Sequence, residues 1–562
     1  MVQRNARGPR RQLGQLLKDS GVADEAAIQQ ALLEQRKHGG MLGEHLIASG
    51  ACTSRDITSA LAGQFGLECV EVAGVEPTPE ALALVDGDMA RAFGLMPLGM
   101  KGEVLLVALS DPLNLPVLQD LAFSAGCEVR GVVADASEIR DLAQRCYGEG
   151  SSLADTIKQA ASTSVGEDAR SAAQSAPVVR LLNSILFRAI RDNASDVHFE
   201  VFPDELRIRY RVDGALYEID APPAHLSAPL IARLKVMSEL DIAETKLPQD
   251  GRIELSIDGR PVDLRVATLP CVSGESCVLR VLDRSSIGLN LEAIGAGEDE
   301  RQVLRALAAK PHGVVLLTGP TGSGKTTTLY AMLAEINDPD TKIITVEDPV
   351  EYDIEGIVQV PIHEDIGVTY AQVLRSMLRH DPDKILIGEI RDDETAAVAV
   401  EASLTGHLVL STVHTNDAPS AVARLLDLAI EPFLLTATLE AVVAQRLVRR
   451  ICPSCRTEYE PDEELQRELE SEGVKLEGRS LAYGKGCESC YHTGYRGRTA
   501  IFEVMMVSEE MRGAILQGEP TDQLRKLARD AGMLTLRESG MRLVAHGETT
   551  VEEVLRETLG VL

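Results

Sequence analysis

Residues 319–326 read Gly-Pro-Thr-Gly-Ser-Gly-Lys-Thr, which matches the phosphate-binding pattern G-x-x-x-x-G-K-T. An apolar run at 314–317 predicts a buried strand before it, and the run 327–336 favours a helix after it. In that context successive backbone N–H groups point at phosphate oxygens, and the helix N-terminus adds partial positive charge. The sequence therefore predicts a nucleotide site made by Gly319, Pro320, Thr321, Gly322, Ser323, Gly324, Lys325, Thr326 and Thr327.

The glycines permit the tight turn of this loop, while Lys325 can reach the β- and γ-phosphates and the Thr326 hydroxyl can ligate Mg²⁺. Glu389 ends a second apolar run, ILIGE, where a carboxylate can polarise water or hold a Mg²⁺-bound one. Glu347 and Asp348 follow a third run, ITVEDP, so we predict base duty for Glu347 and a weaker Mg²⁺ ligand in Asp348. A polar strand end or a turn cap is the alternative for these acids.

Two histidines, His407 and His414, flank the apolar run LVLSTV. On a strand of that length the two lie at opposite ends. The hypothesis is that one senses the γ-phosphate while the other holds the loop, and a structural role is equally open.

Four of the ten cysteines form two C-x-x-C pairs, Cys452 with Cys455 and Cys487 with Cys490. Four thiolates can bind Zn²⁺ tetrahedrally, and a site with four protein ligands leaves no open position for chemistry. The pattern predicts a structural zinc site. Disulfides, free thiols or a competing His492 are the alternatives.

The chain has 562 residues, enough for three or four domains, with 44 % hydrophobic and 25 % charged residues. Its net charge of −30 argues against non-specific binding along nucleic acid. It has no apolar run of the ~18 residues needed to cross a membrane, and no apolar core of a secretory signal follows the basic N-terminus. These features predict a cytoplasmic protein that binds no nucleic acid.

The order of patterns along the chain predicts several domains. A repeat beginning Leu-Gly at 13 and again at 42 indicates a duplicated helical module over 1–66. A mixed α/β domain follows at 67–148, and a Ser-, Ala- and Gly-rich linker at 149–175. We predict a second α/β domain at 176–290. The P-loop ATPase domain then covers 291–562, with the cysteine-bearing insertion at 449–500 and a helical C-terminal part.

A series of ordered motifs makes the resemblance specific. The chain contains APVVRLLNSIL, NASDVH, RYRVDG, KLPQDGR, the glycine loop, ITVEDPVEY, LRHDPDKILIGEIRD, TGHLVLSTVHTNDA and QRL. In these it resembles the ATPases that drive type II secretion and type IV pilus assembly. The resemblance is strong over about 176–562 and looser over 1–148. It implies an α/β fold, with a RecA-like ATPase domain preceded by a PAS-like domain, and a homohexamer that uses ATP and Mg²⁺.

The same resemblance implies partners and further site residues. Such hexamers act on an inner-membrane platform through membrane-anchored adaptors, so peripheral association with the inner membrane is expected. Arginines of the second α/β domain would stabilise charge on the phosphoryl group of their own or a neighbouring subunit. The matching positions are Arg209, Arg211, Arg265 and Arg280. Solvated arginines, or arginines paired with carboxylates, are the alternative.

The duplicated module resembles a domain that binds cyclic di-GMP in certain relatives, where each repeat starts Arg-Leu-Gly. Here Gln12 and Met41 stand at the arginine positions, so docking to a membrane-anchored partner is the favoured interpretation. The tetracysteine motif is typical of the assembly members and favours them over pilus-retraction motors. Type II secretion is the leading prediction, and pilus assembly or a nucleotide-gated scaffold with little turnover is the alternative. A DNA translocase or a phosphotransferase is disfavoured.

Overall fold

The computed structural model describes residues 13–38, 42–65, 67–85, 87–102, 104–112, 117–118, 121–122, 127–147, 156–157, 160–161, 173, 175–257, 260–283, 290–363, 366–471 and 480–559. The repeat positions Gln12 and Met41, and most of the predicted linker 149–175, lie outside these ranges. The chain divides into two compact units, Met1–Gly288 and Leu289–Leu562.

The first unit begins with the four helices of the repeat. Each repeat places a glycine against an isoleucine: an added Cβ at Gly14 would lie 3.1 Å from Ile28, and one at Gly43 would lie 3.1 Å from Ile57. Both isoleucines are buried in one apolar cluster of this module. The helices are α1 (Leu13–Asp19), α2 (Glu25–His38), α3 (Leu42–Ala48) and α4 (Ser54–Phe65).

A three-stranded sheet follows, in which β2 pairs antiparallel with β1 and parallel with β3. The apolar run VLLVAL forms β2, in which Leu105, Val107, Ala108 and Leu109 are buried. The elements are α5 (Pro79–Leu84), α6 (Gly87–Ala92), β1 (Leu95–Lys101), β2 (Val104–Leu109), β3 (Glu128–Val133) and α7 (Ala136–Tyr147).

The last part of this unit is a six-stranded antiparallel sheet in the order β6-β5-β4-β9-β8-β7. Its core contains Phe199 and Tyr210, and the Tyr210 hydroxyl donates to the Ile185 carbonyl of helix α8. The elements are α8 (Ala176–Arg191), β4 (Ala194–Val201), β5 (Leu206–Val212), β6 (Ala215–Glu218), α9 (Ser227–Met237), β7 (Gln249–Ile257), β8 (Arg260–Cys271) and β9 (Gly274–Asp283).

The second unit contains a seven-stranded sheet in the order β12-β11-β13-β14-β10-β15-β18. All its pairs are parallel except β15 with β18. The buried apolar side chains of this unit form separate core clusters, and neighbouring residues of the central strands belong to different clusters. Strands that are buried on both faces are apolar at successive positions, which explains their continuous apolar runs. The strands are β10 (Gly313–Thr318), β11 (Ile343–Glu347), β12 (Val358–Pro361), β13 (Lys384–Ile387), β14 (Leu408–Val413), β15 (Leu439–Ile451) and β18 (Tyr495–Met506).

Helices connect these strands and complete the C-terminal part. Helix α10 (Glu298–Ala308) precedes the first strand, and those between the strands are α11 (Lys325–Glu335), α12 (Tyr370–Met377), α13 (Asp393–Leu404), α14 (Ala418–Asp427) and α15 (Pro432–Thr438). The insertion between β15 and β18 holds β16 (Arg456–Tyr459), α16 (Glu463–Ser471) and β17 (Leu481–Gly484). The chain continues with α17 (Glu509–Leu516), α18 (Thr521–Asp530), α19 (Leu536–Ala545) and α20 (Val551–Thr558).

A buried ion pair joins the base of the insertion to α20. Arg449 of β15 donates from Nε and Nη2 to the two oxygens of Glu553, at 2.9 and 2.7 Å. The Glu553 side chain is 1 % exposed, and the Arg449 guanidinium also lies 4.1 Å from the centroid of the Tyr495 ring. Removing one partner leaves the other charge buried without compensation.

We therefore expect Glu553→Gln to lower the free energy of unfolding of the second unit by about 3 kcal/mol. Urea unfolding of the full chain measures this change. The control is Glu552→Gln, because Glu552 is exposed beside it and should change stability by less than about 0.5 kcal/mol. Equal stability of the two variants would contradict the assigned role of the pair.

Candidate nucleotide site

The glycine loop joins β10 to α11 and packs against strand β15. Gly319 and Gly324 have φ of 147° and 87°, values that favour glycine. A Cβ at Gly319 would approach the Gln445 carbonyl oxygen to 2.6 Å, and one at Gly324 would approach Gln445 Nε2 to 2.9 Å. Gln445 Oε1 in turn accepts from Thr328 of α11 at 2.8 Å. The loop is thus held by β15 as well as by its own turn.

Lys325 is buried at the first position of α11. Its ammonium donates to the carbonyl oxygens of Gly319 at 2.8 Å and Pro320 at 3.0 Å. Burial lowers the pKa of this lysine to about 8, against a raising effect of Glu389. An ammonium held inside its own loop, with little solvation, is well placed to bind anionic phosphate oxygens.

Ser323 supplies an independent sign that the loop fits phosphate. Its hydroxyl is buried and has no hydrogen-bond partner among the described residues. Thr326 is exposed and Thr327 half-buried at the start of α11, and Asp348 is exposed just beyond β11. Thr326 and Asp348 are the residues available for Mg²⁺, and that role remains a prediction.

Glu389 lies just beyond the carboxyl end of β13, and both its carboxylate oxygens are held. Arg391 donates to Oε1, and His414 Nε2 lies 3.2 Å from Oε2. Burial raises the pKa of Glu389, but the hydrogen bonds and charges of Arg391 and His414 together outweigh this effect, and the net pKa is lowered. The carboxylate therefore stays ionised, as a group that accepts a proton from water must be.

Glu347, the last residue of β11, is 3 % exposed, and its carboxylate is hydrogen-bonded to other side chains. Its carboxylate accepts from the Tyr330 hydroxyl, from Thr345 Oγ1 at 2.5 Å and from Gln359 Nε2 at 3.2 Å. These bonds fix the end of β11 beside β12. A direct role of Glu347 as base remains a prediction.

The two histidines lie at opposite edges of the sheet. His414 follows β14 at its carboxyl end, where it meets Glu389. His407 precedes β14, and its Nδ1 lies 2.8 Å from the Ala402 carbonyl and 3.1 Å from Thr405 Oγ1. Since β10 and β14 are parallel and in register, His407 is at the edge away from the glycine loop. The structure brings His414 and not His407 to the site.

The predicted finger arginines all lie in the six-stranded sheet of the first unit. Arg209 donates to Glu200, and Arg211 and Arg280 pair with the one carboxylate of Asp196, at 3.7 and 3.3 Å. Arg265 stands opposite Arg280 in the β8–β9 register. Three of the four are therefore paired with carboxylates within this unit, and a finger role for any of them remains a prediction.

Sequence reasoning did not assign Arg391, Gln445 or Arg446 to the site. Arg391 belongs to the GEIRD run directly after Glu389, so its position alone could have suggested it. Arg446 is 5 % exposed and donates from Nη2 to the Asn416 carbonyl at 2.9 Å. Nothing local in the sequence could show that β15 lies beneath the glycine loop, because that neighbour follows from sheet order.

The four predicted cysteines come together in the insertion. Cys452 Sγ lies 3.9 Å from Cys487 Sγ, and Cys490 Sγ lies 3.8 Å from Cys455 Sγ and 3.7 Å from Cys487 Sγ. A tetrahedral Zn²⁺ with bonds of about 2.3 Å requires sulfur atoms about 3.8 Å apart. The thiol set therefore fits the ion, and His492 is not part of the group.

Arg391→Gln tests how Glu389 is kept ionised. Without the arginine, fewer interactions offset the raising effect of burial, so the pKa of Glu389 should rise. In its predicted role as base Glu389 acts only when ionised, so the acid limb of the kcat profile of ATP hydrolysis should move to higher pH. The matched control is Arg375→Gln. Arg375 of α12 forms an exposed ion pair with Glu394 of α13, and this pair does not include Glu389. An acid limb unchanged in Arg391→Gln would show that the arginine does not set this pKa.

No helix within the described ranges is both long and apolar enough to cross a membrane. The type II/IV secretion system protein family model matches residues 171–556, and the MshEN domain model matches residues 65–153. The chain is thus similar to known proteins over both units.

Curated relatives and a solved structure extend these matches. The type IV pilus assembly ATPase PilB of Myxococcus xanthus is 42 % identical over 97 % of this chain and 98 % of that protein. The type II secretion system protein E of Xanthomonas campestris is 42 % identical over 91 % of each. The Legionella pneumophila ATPase DotB is 22 % identical, covers 67 % of this chain and 94 % of its own, and has a TM-score of 0.51.

The DotB likeness concerns the fold alone and agrees with the predicted RecA-like P-loop domain, while the PAS-like character of the preceding α/β domain stays a prediction. The prediction of a secretion ATPase is confirmed by the family match. Since that match covers most of the chain and relatives align along nearly all of it, the chain belongs to the type II/IV secretion system protein family of ATPases.

Proposed function

We propose that this chain is the ATP-hydrolysing motor subunit of a type II secretion machine. The observation that carries the proposal is the placement of an ionised Glu389 at the same sheet edge as the phosphate-binding loop. The electrostatic effect of Glu389 on Lys325 supports their proximity. Relatives named type II secretion system protein E support the branch.

In this proposal each group of the site has one task. The loop N–H groups and Lys325 bind the phosphates, and Thr326 with Asp348 would hold Mg²⁺, which would neutralise charge on the phosphate oxygens. Glu389 orients the attacking water and accepts its proton, and His414 with Arg391 keeps the carboxylate in place. Arginines of the first unit would complete the site in a homohexamer.

The same family membership supports a proposed site of action. We place the hexamer in the cytoplasm, held at an inner-membrane platform by adaptor proteins that are anchored in the membrane. For the N-terminal module we favour docking to such an adaptor over cyclic di-GMP binding, since Gln12 and Met41 replace the arginines of the binding repeats.

Type IV pilus assembly is the second candidate. It is supported by the PilB relative of Myxococcus xanthus, which aligns over 97 % of this chain. The two functions share the motor chemistry and differ in the machine that receives the work. Complementation of a secretion mutant and of a pilus-assembly mutant by this chain separates them, and rescue of piliation alone would decide for the second candidate.

Glu389→Gln tests the hydrolytic assignment. The amide cannot accept a proton from water, so kcat should fall by at least about 100-fold while binding of Mg·ATP persists. A phosphate-release assay and ATP-binding calorimetry on the full chain measure the two properties. Lys325→Ala is the companion variant and should lose binding itself. Normal turnover of Glu389→Gln would refute the role given to this carboxylate.

We further propose that the cysteine cluster holds a structural Zn²⁺. Purified wild-type chain should carry about one zinc per subunit, and Cys452→Ser should lose it, as measured by elemental analysis. Cys69→Ser, an exposed cysteine outside the cluster, is the control. A zinc content unaffected by Cys452→Ser would contradict the proposed ligand set.

A further inference from the structure

The 414–418 loop, which joins β14 to α14 and includes the first residue of α14, contacts three residues at the nucleotide site in the second unit: Glu389, Thr318 and Arg446. Its first residue, His414, lies against Glu389. Thr415 is bonded to Thr318, directly before the glycine loop: its N–H donates to Thr318 Oγ1 at 2.9 Å, and its carbonyl accepts from that hydroxyl at 2.8 Å. The Asn416 carbonyl accepts from Arg446. The position of this loop therefore sets the position of the histidine that holds the base.

The far end of the loop is fixed by two buried carboxylates. Asp417 caps helix α14, since its Oδ1 accepts from the Ser420 N–H at 2.8 Å. Glu503 of β18 accepts from the Ala418 N–H at 2.8 Å and from the Leu536 N–H of α19 at 3.4 Å. Burial raises the pKa of Glu503, with a further raising effect of Asp417. Two neighbouring acids in a buried place need a positive partner.

Arg525 of helix α18 supplies that charge. Its Nη2 donates to Asp417 Oδ2 at 2.9 Å, and the Asp417 side chain is only 8 % exposed. Arg525 is half-buried at 28 % exposure, and its Nη1 is fixed by Asp522 at 2.7 Å. A C-terminal helix thus forms an ion pair with the loop that carries His414, although Arg525 and Asp417 are far apart in sequence.

We propose that Arg525 is a positioning residue for ATP hydrolysis, which holds the 414–418 loop through Asp417 and thereby keeps His414 on Glu389. It joins the C-terminal helices to the nucleotide site, so a force on those helices changes the geometry around the base. This inference deepens the hydrolytic function proposed above and rests on it. In this role Arg525 acts through Asp417, its partner in the loop.

The test uses Arg525→Gln and Arg529→Gln in the full-length hexamer. Arg529 lies one turn further along α18 and forms a similar ion pair with Glu538 at 2.6 Å, which does not involve the 414–418 loop. Single-turnover and steady-state ATP hydrolysis give kcat and KM, with thermal unfolding and hexamer content measured alongside. We expect Arg525→Gln to lower kcat roughly tenfold, with KM for ATP within about twofold, and Arg529→Gln to leave kcat within about twofold.

A double-mutant cycle with Asp417→Asn identifies the route. If Arg525 acts through Asp417, the double variant should have about the kcat of the worse single variant, not the product of both losses. Additive losses, a wild-type kcat in Arg525→Gln, equal losses in the two arginine variants, or a loss confined to KM or stability would each overturn the inference. Absence of hydrolysis by the wild-type hexamer, with ATP bound, would instead overturn the proposed function.

Discussion

The close approach of the glycine loop to strand β15 is the contact on which the rest of the nucleotide site depends. At Gly319 and Gly324 a side chain would collide with Gln445, so both positions need glycine for space as well as for φ. One side of the loop rests on β15, which leaves its other side for phosphate. This makes the sheet order, with β15 beside β10, a condition for phosphate binding.

The parallel strands bring the remaining chemistry to the same place. β13 and β14 end near the loop, and the residues just beyond them, Glu389 and His414, are bonded to each other. At the opposite ends of the strands, side chains make structural contacts, as His407 does with the Ala402 carbonyl. Two of the acids are balanced by a neighbouring arginine, since Glu389 pairs with Arg391 and Asp417 pairs with Arg525.

Sequence reasoning reached the parts of the site that are local. The glycine loop, the strand before it and the helix after it are contiguous, and the four cysteines follow a spacing with a known ligand geometry. It could not find Gln445 or Arg525, because each meets its partner only after the strands and helices are ordered in space. Nor could the sequence predict that Tyr330, Thr345 and Gln359 would all donate hydrogen bonds to the carboxylate of Glu347.

The pairing of β15 with β18 has a consequence for how the cysteine cluster can be exchanged. Arg449 faces Arg498 and Ile451 faces Tyr495, so the chain leaves the sheet and returns to it at adjacent points. A segment whose two ends meet in a hairpin can be shortened, lengthened or replaced with little loss of chain entropy elsewhere. The insertion nevertheless buries Leu469 and Leu481 in the core of this unit, so a short turn grafted in its place would need new apolar side chains to cover that core while the strand beneath the glycine loop stays paired.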